Sequence, residues 1–409
     1  MLETLSIVFS VIIYLSILFL IEYYIFRSYR NWLKKSFLSQ RQLFWKNLGF
    51  IILILGNLLF IFSMIVTNTT LISISIFSRL LAYLGGFFFS SLLLALIVLC
   101  IKDFILLIHR LYQYFVMRTY RVRDIQDLPN KSRRSLLKYG GAASVLAISS
   151  APVISTFMIG DEIQIIKKII SFNNFPKSMN GLTIAQLSDI HAGAYMNLEN
   201  LTDIFHLVNS LQPDIIVITG DFVDKNTYDL SALSNTFQLL QSDIGVFGCL
   251  GNHDHYAGAK DISNMLENSG IKMLNNDGKT LFINNDKISI LGVDYEGTKM
   301  HPGGYSDIRQ ALKKVNSDSF KIMLSHNPDF FTTIKKYDID LTLAGHTHGG
   351  QIGFKIGGLN INPAYLAFRY PKGHYIEENK HLYVNVGIGN YGLPIRTIKP
   401  EITLLTLSG

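Results

Sequence analysis

Three long apolar runs at the start of the chain limit its fold more than any other feature of the sequence. They cover residues 5–26, 48–66 and 80–101, and the first run is interrupted only by Glu22 near one end. A helix needs roughly 20 apolar residues to cross a bilayer, so each run is long enough to be a transmembrane span. Three such runs in succession favour membrane spans over buried helices of a soluble core.

A fourth candidate span, residues 139–160, is apolar but rich in Gly, Ala and Ser. It follows residues 132–138 (SRRSLLK), which resemble a twin-arginine export signal in an internal position. The alternative is that both arginines belong to a basic cytoplasmic loop. Because Pro152 disfavours cleavage there, we expect this anchor to be retained. Residues 104–117 are too short to span, and we expect an amphipathic helix lying on the membrane surface.

Positive charge is concentrated in the loops beside these runs. Residues 27–46 hold six basic and no acidic side chains, and residues 102–138 hold nine basic and three acidic ones. The first 138 residues carry a net charge of +11, and because the whole chain carries +7, residues 139–409 carry −4. The basic balance therefore does not indicate nucleic-acid binding, which needs a basic surface on the folded domain.

Basic loops stay on the cytoplasmic side of a membrane. With four spans, this rule places the globular part that follows residue 160 outside the cytoplasm. If residues 139–160 only lie on the membrane surface, the same rule places it in the cytoplasm. We expect a transmembrane region over residues 1–160 and a globular domain over residues 165–409.

Five short apolar segments in the second part of the chain each end in a polar block. The blocks read DIH (189–191), GDFVD (220–224), GNHD (251–254), SHNPD (325–329) and GHTHGG (345–350). Apolar strands that alternate with helical stretches predict an α/β fold, and polar groups past the carboxyl ends of strands gather at one sheet edge. Later strands near residues 287–293, 382–386 and 402–407 have shorter connections and suggest a second, mixed sheet.

The residue types in these blocks indicate a pair of metal ions. Imidazole suits Zn, Fe or Mn, and carboxylates suit hard divalent ions, so a mixed set fits two transition-metal ions. Two such ions can clamp the attacking and leaving oxygens of a phosphoryl group and lower the pKa of bound water to about 7. The pattern therefore predicts phosphoester hydrolysis by a metal-activated hydroxide.

The order of the five blocks resembles the calcineurin-like metallophosphoesterase family, over about residues 180–409. The segment 383–396 (YVNVGIGNYGLPIR) looks like the membrane-associated bacterial branch of that family, which includes UDP-diacylglucosamine pyrophosphatases and twin-arginine-exported phosphodiesterases. The resemblance implies a four-layer αββα sandwich with two divalent ions at one edge.

The resemblance also implies roles for individual residues. Asp189, His191 and His348 would bind the first ion; Asn252, His326 and His346 would bind the second; and Asp221 would bridge both. His253 would protonate the leaving oxygen, with Asp254 orienting its ring.

Four further residues near the blocks have weaker assignments. Asp224 is expected to cap or brace its loop. His255 and Asn390 are candidates for substrate contact, although a packing role fits His255 equally well. Arg396 is a candidate phosphate clamp, and a structural salt bridge is the alternative.

The leading prediction is an enzyme of the bacterial inner membrane that hydrolyses a phosphoester or pyrophosphate. Its substrate would be lipid- or sugar-linked, such as UDP-diacylglucosamine of lipid A synthesis, and its partners would be the bilayer and a small-molecule or lipid phosphate. One alternative is a broad-specificity extracytoplasmic phosphodiesterase or phosphomonoesterase. A second alternative, of another class, is a sensor module that binds metal without turnover. Nothing in the sequence indicates an oligomeric state.

Overall fold

Three long helices account for the described residues of the first part of the chain in this computed structural model. They are α1 (Leu2–Ser36), α2 (Ser39–Asn68) and α3 (Ile76–Thr119). The predicted spans at residues 5–26, 48–66 and 80–101 each lie inside one of these helices. Residues 104–117 continue α3 without a break, so the predicted surface helix is the last part of one 44-residue helix.

The structure describes residues 2–36, 39–68, 76–119, 162–193, 195–224, 229–297, 303–356, 359–362, 364–390 and 396–409. The predicted span at residues 139–160 and the twin-arginine segment at residues 132–138 lie outside this set. Within the described helices, two segments are long and apolar enough to cross a membrane, Arg41–Ile65 and Tyr83–Phe115. The chain divides into two compact units, one with residues 1–64 and 80–155, the other with residues 65–79 and 156–409.

The second unit is built on two six-stranded mixed sheets. In chain order its described strands are β1 (Gln164–Ser171), β2 (Thr183–Leu187), β3 (Ile215–Thr219), β4 (Gly245–Cys249), β5 (Lys272–Met273), β6 (Asp277–Ile283), β7 (Asp286–Gly292), β8 (Phe320–Leu324), β9 (Leu341–Ala344), β10 (Phe354–Ile356), β11 (Leu359–Ile361), β12 (Gly373–Glu377), β13 (Lys380–Val384) and β14 (Glu401–Ser408). The first sheet has the order β1-β14-β2-β3-β4-β5, and the second has the order β12-β13-β9-β8-β7-β6. Strands β10 and β11 form a separate hairpin.

Short helices connect the strands. They are α4 (Leu198–Ser210), α5 (Leu230–Phe237), α6 (Asn252–Ala257), α7 (Ala259–Asn268), α8 (Ile308–Leu312), α9 (Phe331–Ile334) and α10 (Ala364–Ala367). In α4, Asn197 accepts a hydrogen bond from the Asn200 N–H at 2.7 Å and satisfies a donor that the helix itself leaves unpaired. Leu201, Phe205 and Val208 then recur at helical spacing and bury one face against the first sheet.

Three separate apolar layers confirm the four-layer αββα arrangement. Helices α4, α5 and α7 pack on the outer face of the first sheet. The inner faces of the two sheets pack on each other, with Ile184 and Ile215 from one sheet facing Ile322 and Leu341 from the other in a single core. Helix α8 packs on the outer face of the second sheet. Each sheet is therefore covered on both faces, which explains why β3 is buried along its whole length.

The strand near residues 402–407 does not join the second sheet as expected. It is part of β14, which lies in the first sheet, parallel to β1 and antiparallel to β2. The other two late segments do belong to the second sheet, as β7 and β13. Connection length predicted the mixed character of the sheets but not this insertion, because pairing between distant strands leaves no local signal.

Substitution of a core residue between the two sheets tests this packing. Phe320 is buried on β8 and meets the rings of Phe172 at 4.8 Å and Phe175 at 4.9 Å edge to face. Phe320→Ala should lower the free energy of unfolding by about 3–5 kcal/mol, because it removes a buried ring and leaves a cavity. Hydrogen–deuterium exchange of the β8 amides across a urea series measures this loss.

Phe282 on β6 is the matched control, since its side chain is 73% exposed. Phe282→Ala should change the same quantity by less than about 0.5 kcal/mol. Equal losses for the two variants would contradict the two-sheet core.

Candidate metal centre

All five polar blocks lie at the carboxyl ends of neighbouring parallel strands. Strands β2, β3 and β4 of the first sheet lead into the first three blocks, and β8 and β9 of the second sheet lead into the last two. The site is thus assembled at one edge of the sandwich from both sheets, the position where open α/β sheets bind ligands.

Left-handed backbone conformations are concentrated in these blocks. Five of the predicted ligands have positive φ angles, between 47° and 72°: Asp189, His191, Asp221, His346 and His348. Such angles are uncommon for residues other than glycine, and they persist only where the surrounding structure enforces them. The turns aim these side chains into a common space at the sheet edge.

The first predicted ligand group comes together as expected. The Nε2 atoms of His191 and His348 are 3.1 Å apart, and Oδ1 of Asp189 is 3.4 Å from His348 Nε2. All three side chains are buried, and their ligand atoms lie within 4.8 Å of one another.

The second group forms beside it. His346 Nδ1 and His326 Nε2 are 3.1 Å apart, and Oδ1 of Asn252 is 3.2 Å from His326 Nε2. The Nδ1–H of His326 donates to the carbonyl of Thr219 at 2.7 Å. This bond places a proton on Nδ1 and points Nε2 toward the other ligands, as outer partners of metal-binding histidines commonly do.

One carboxylate oxygen lies between the two groups. Oδ2 of Asp221 is 3.2 Å from His326 Nε2 and 3.5 Å from His191 Nε2. Oδ1 of the same carboxylate accepts the backbone N–H of His253 at 2.8 Å. Asp221 is therefore the residue that would be shared if both groups held an ion.

The geometry of the donors fits a pair of metal ions. Two nitrogen ligands at about 2.0–2.1 Å from one ion lie roughly 3.0–3.4 Å from each other, and the two His–His separations fall in this range. Burial lowers the pKa of His191 and of His346 to about 4, so both rings are neutral at physiological pH, as ligands must be. The buried Asp and His clusters could therefore hold the dimetal centre.

Two glycines allow the loops to approach this closely. A Cβ on Gly251 would overlap the carboxylate of Asp221, and a Cβ on Gly345 would overlap the side chains of Ser188 and Asp189. The backbone N–H of His346 donates to both oxygens of Asp189, at 3.0 and 2.9 Å. These contacts hold the first carboxylate in place.

The carboxylate that orients His253 is Asp224, which corrects the expectation that Asp254 does so. His253 Nδ1 lies 3.0 Å from Asp224 Oδ1, and because a carboxylate only accepts, Nδ1 carries the proton. Asp254 instead accepts backbone N–H groups, from Gly251 at 2.8 Å and Phe222 at 2.9 Å. Asp254 is the third residue of α6, where a side chain reaches back to the start of its own helix rather than sideways to its neighbour.

Electrostatics separate the two histidines that face carboxylates. Burial opposes the charged form of His253, but the hydrogen bond to Asp224 and nearby carboxylates outweigh it and raise the pKa of the ring. Burial likewise opposes the charged form of His326, but Asp221 outweighs it and raises that pKa to about 9. Burial and the charge of Asp221 together raise the pKa of Asp254 to about 7.

The three candidate substrate residues occupy different positions. The Nε2–H of His255 donates to Asp294 at 2.7 Å, which agrees with a packing role. Asn390 is half-buried at the end of the 386–390 segment. Arg396 is buried, and its printed contacts are with main-chain carbonyls. Its guanidinium donates to the carbonyls of residues 386, 387, 389 and 398, and so braces the segment that packs against Asp189.

Two aromatic residues beside the ligands were not predicted from the sequence. The ring of Tyr295 lies 5.9 Å from those of His326 and His346, and the ring of Phe368 lies 5.6 Å from that of His346. Tyr295 follows the carboxyl end of β7, so the rule that located the five blocks could also have found it. Phe368 lies far from any such strand end and gave no signal.

Comparison with known proteins agrees with this geometry. A profile described as calcineurin-like phosphoesterase matches residues 182–350, which include every predicted metal ligand. The uncharacterized metallophosphoesterase YkuE of Bacillus subtilis is 32% identical over 292 residues, covering 68% of this chain and 97% of that protein. An uncharacterized metallophosphoesterase of Aquifex aeolicus is 31% identical, covering 59% of this chain and 91% of that protein.

A vertebrate protein matches as well. The Danio rerio protein named transmembrane protein with metallophosphoesterase domain is 30% identical over 277 residues. The match covers 64% of this chain and 62% of that protein, so the chain spans less than two thirds of this relative's length.

The raised pKa of His326 predicts a pH-dependent metal affinity. In the metal-free protein this ring is protonated at neutral pH, and an ion must displace the proton to bind. Affinity for Mn²⁺ should therefore rise by about tenfold per pH unit up to about pH 9, with close to one proton released for each ion bound at the site of His326. Calorimetric titration in two buffers of different protonation enthalpy measures the release.

His326→Gln serves as the reference, because it removes the titrating group. This variant should lose both affinity and the proton release. An Mn²⁺ affinity of the unsubstituted chain that stays constant from about pH 6 to pH 8 would contradict the assignment.

Proposed function

The chain belongs to the calcineurin-like metallophosphoesterase family, and we propose that it is a membrane-anchored hydrolase of a phosphoester or pyrophosphate bond in a lipid- or sugar-linked substrate. It is a metal-dependent phosphoesterase, and the identity of the substrate is the proposed part. The observation that carries the proposal is the position of Asp221 Oδ2, within 3.5 Å of histidines from both ligand groups.

We assign the ligands as the geometry groups them. Asp189, His191 and His348 would hold one ion, and Asp221 would be shared. Asn252, His326 and His346 would hold the other ion. Both ions would be Mn, Zn or Fe. When bound, such a pair neutralises phosphoryl charge and supplies an acidified water as nucleophile.

His253 is proposed as the proton donor to the leaving oxygen. Its Nδ1–H is held by Asp224, so its Nε2 is the atom that would deliver the proton. The raised pKa favours the protonated ring near neutral pH, which is the form that a general acid requires. Asp224 acts as a positioning residue, and Asp254 fixes the backbone of the two loops that carry His253 and Asp221.

Membrane association supports a substrate presented at a bilayer. Two helical segments have the length and composition of spans, and the Danio rerio relative is named as a transmembrane protein. We propose a multi-pass protein of the bacterial inner membrane, with residues 1–160 as the membrane region and residues 165–409 as the catalytic domain. UDP-diacylglucosamine fits a cytoplasmic catalytic domain, whereas cell-wall or lipid-carrier phosphates fit an extracytoplasmic one. The charge rule favours the extracytoplasmic side.

Loss of the proton donor should depend on the leaving group. With Mn²⁺, His253→Ala should retain metal but lower turnover of a diphenyl phosphate diester by about 10²–10⁴-fold, the usual contribution of a general acid. The loss should be smaller with bis-p-nitrophenyl phosphate, because p-nitrophenolate leaves without protonation. Steady-state rates on both substrates, with bound metal measured by elemental analysis, provide the test.

Two further variants complete this series. Asp224→Asn should move the basic limb of the pH–rate profile to lower pH, because the neutral amide no longer raises the pKa of His253. Asp229→Asn changes an exposed carboxylate at the start of α5 and should leave the profile unchanged. If the unsubstituted chain binds metal but hydrolyses no phosphoester, the enzymatic proposal fails and the sensor alternative gains support.

The side of the membrane can be determined with reporter fusions after Lys168. The extracytoplasmic proposal predicts that an alkaline phosphatase fusion is active, because this reporter matures outside the cytoplasm. It also predicts that a fusion to green fluorescent protein does not fluoresce, because that reporter matures inside the cytoplasm. Fluorescence combined with an inactive phosphatase would contradict this topology and would favour the nucleotide-linked lipid substrate.

A further inference from the structure

A short apolar segment lies beside the metal centre and exposes its side chains. Residues 364–368 (AYLAF), here called the lip, comprise α10 and the residue after it. The side chain of Leu366 is 94% exposed, and that of Tyr365 is 50% exposed. A single exposed leucine has no special meaning on a protein surface, so the inference depends on where the lip lies and what surrounds it.

Hydrogen bonds on both sides attach the lip to the loop that carries His346 and His348. The Nδ2–H of Asn362 donates to the carbonyl of Gly349 at 2.6 Å, and the hydroxyl of Thr347 donates to the carbonyl of Pro371 at 2.6 Å. Both bonds are buried, so they hold the lip close to the ligand loop.

The lip also contacts the metal centre directly. The Phe368 ring packs edge to face on that of His346, a predicted ligand, at 5.6 Å between centroids. Leu366 and Tyr365 are exposed only two and three residues before this contact. Whatever covers the lip will therefore lie beside the metal centre.

The charge of this region favours an anionic partner. Residues 364–376 contain the cations Arg369 and Lys372 and no Asp or Glu, while Asp329 from another loop accepts the backbone N–H of Arg369 at 3.1 Å. The guanidinium of Arg369 forms an ion pair with Glu377 at 3.3 Å, and the Arg369 side chain remains largely exposed beside the lip. Lys372 is half-buried against the ligand loop near Gly349. Apolar side chains flanked by cations are the combination that binds the headgroup region of anionic membranes.

We propose that the lip is a membrane-contacting surface that inserts Leu366 and Tyr365 into the headgroup region of an anionic bilayer. The occupant is a lipid surface rather than another protein, because the chain itself carries membrane-length helices and the cations Arg369 and Lys372 directly follow the lip. Insertion brings the metal centre to the level of lipid phosphates. The inference rests on the membrane association in the proposed function, but it does not require turnover.

A fluorescent label at position 366 tests this contact in the full chain. Of the two cysteines, Cys249 is buried and Cys100 is exposed, so a Cys100→Ala background leaves no accessible thiol. Leu366→Cys is labelled with a nitrobenzoxadiazole dye and placed in nanodiscs of phosphatidylcholine with phosphatidylglycerol. The expected result is a blue-shifted emission that rises several-fold over detergent and is quenched by lipids carrying a nitroxide on the acyl chain. In nanodiscs of phosphatidylcholine alone, both effects should be weaker.

Two control positions separate failure of this proposal from failure of membrane association. Leu55→Cys lies in α2 within the predicted span and should be quenched in every nanodisc. Phe282→Cys is exposed on β6, the edge strand of the second sheet opposite β12, and its label should not be quenched. If the label at 55 is quenched and the label at 366 behaves like that at 282, the lip proposal is wrong although membrane association stands. If the label at 55 is not quenched, both are wrong.

Two other outcomes would also overturn the proposal. A blue shift that persists in detergent and grows with protein concentration would identify a second copy of the chain as the occupant of the lip. Equal quenching at 366 in neutral and anionic nanodiscs would show that the neighbouring cations do not contribute.

Discussion

The buried carboxylate of Asp221 is the constraint on which the rest of the site depends. It is 2% exposed, and an isolated charge at such depth is costly unless partners offset the lost hydration. Histidines from both ligand groups and the backbone N–H of His253 supply those partners. Because they come from both sheets, the same carboxylate that would bridge two ions also draws the two sheet edges together.

Backbone hydrogen bonds between the ligand loops hold these side chains in place. The N–H of Asp189 donates to the carbonyl of Gly220, and that of His191 donates to the carbonyl of Asp221, both at 3.0 Å. The N–H of Gly345 donates to the carbonyl of His326 at 3.1 Å. Each ligand loop is therefore bonded to another ligand loop, which explains how left-handed residues remain in place without glycine. These bonds between loops fix the positions of the ligand residues relative to one another.

Much of the fold and the site could be predicted from the sequence, and the failures have physical causes. The covered sheet and the convergence of five blocks followed from apolar strands ending in polar residues, and the four-layer αββα arrangement followed from the family resemblance. The partner of His253 did not, because Asp254 is adjacent in sequence but points along its own helix, while Asp224 is near only in space. The carbonyl contacts of Arg396 were not predicted either, because a guanidinium that binds main-chain carbonyls gives the same sequence signal as one that binds a phosphate or a carboxylate. The ligand assignments themselves stay predictions until an ion is measured.

The insertion of β14 between β1 and β2 bears on how the molecule assembles during synthesis. Ser171 on β1 meets its neighbour Ser408 across a separation of 237 residues. Until that distant segment leaves the ribosome, β1 cannot reach its place and β2 presents an open hydrogen-bonding edge, a state prone to mispairing. The first sheet must therefore close late, after nearly all the intervening strands have been made. The unpaired edge of β2 is therefore the part of the nascent first sheet that is most open to wrong pairing.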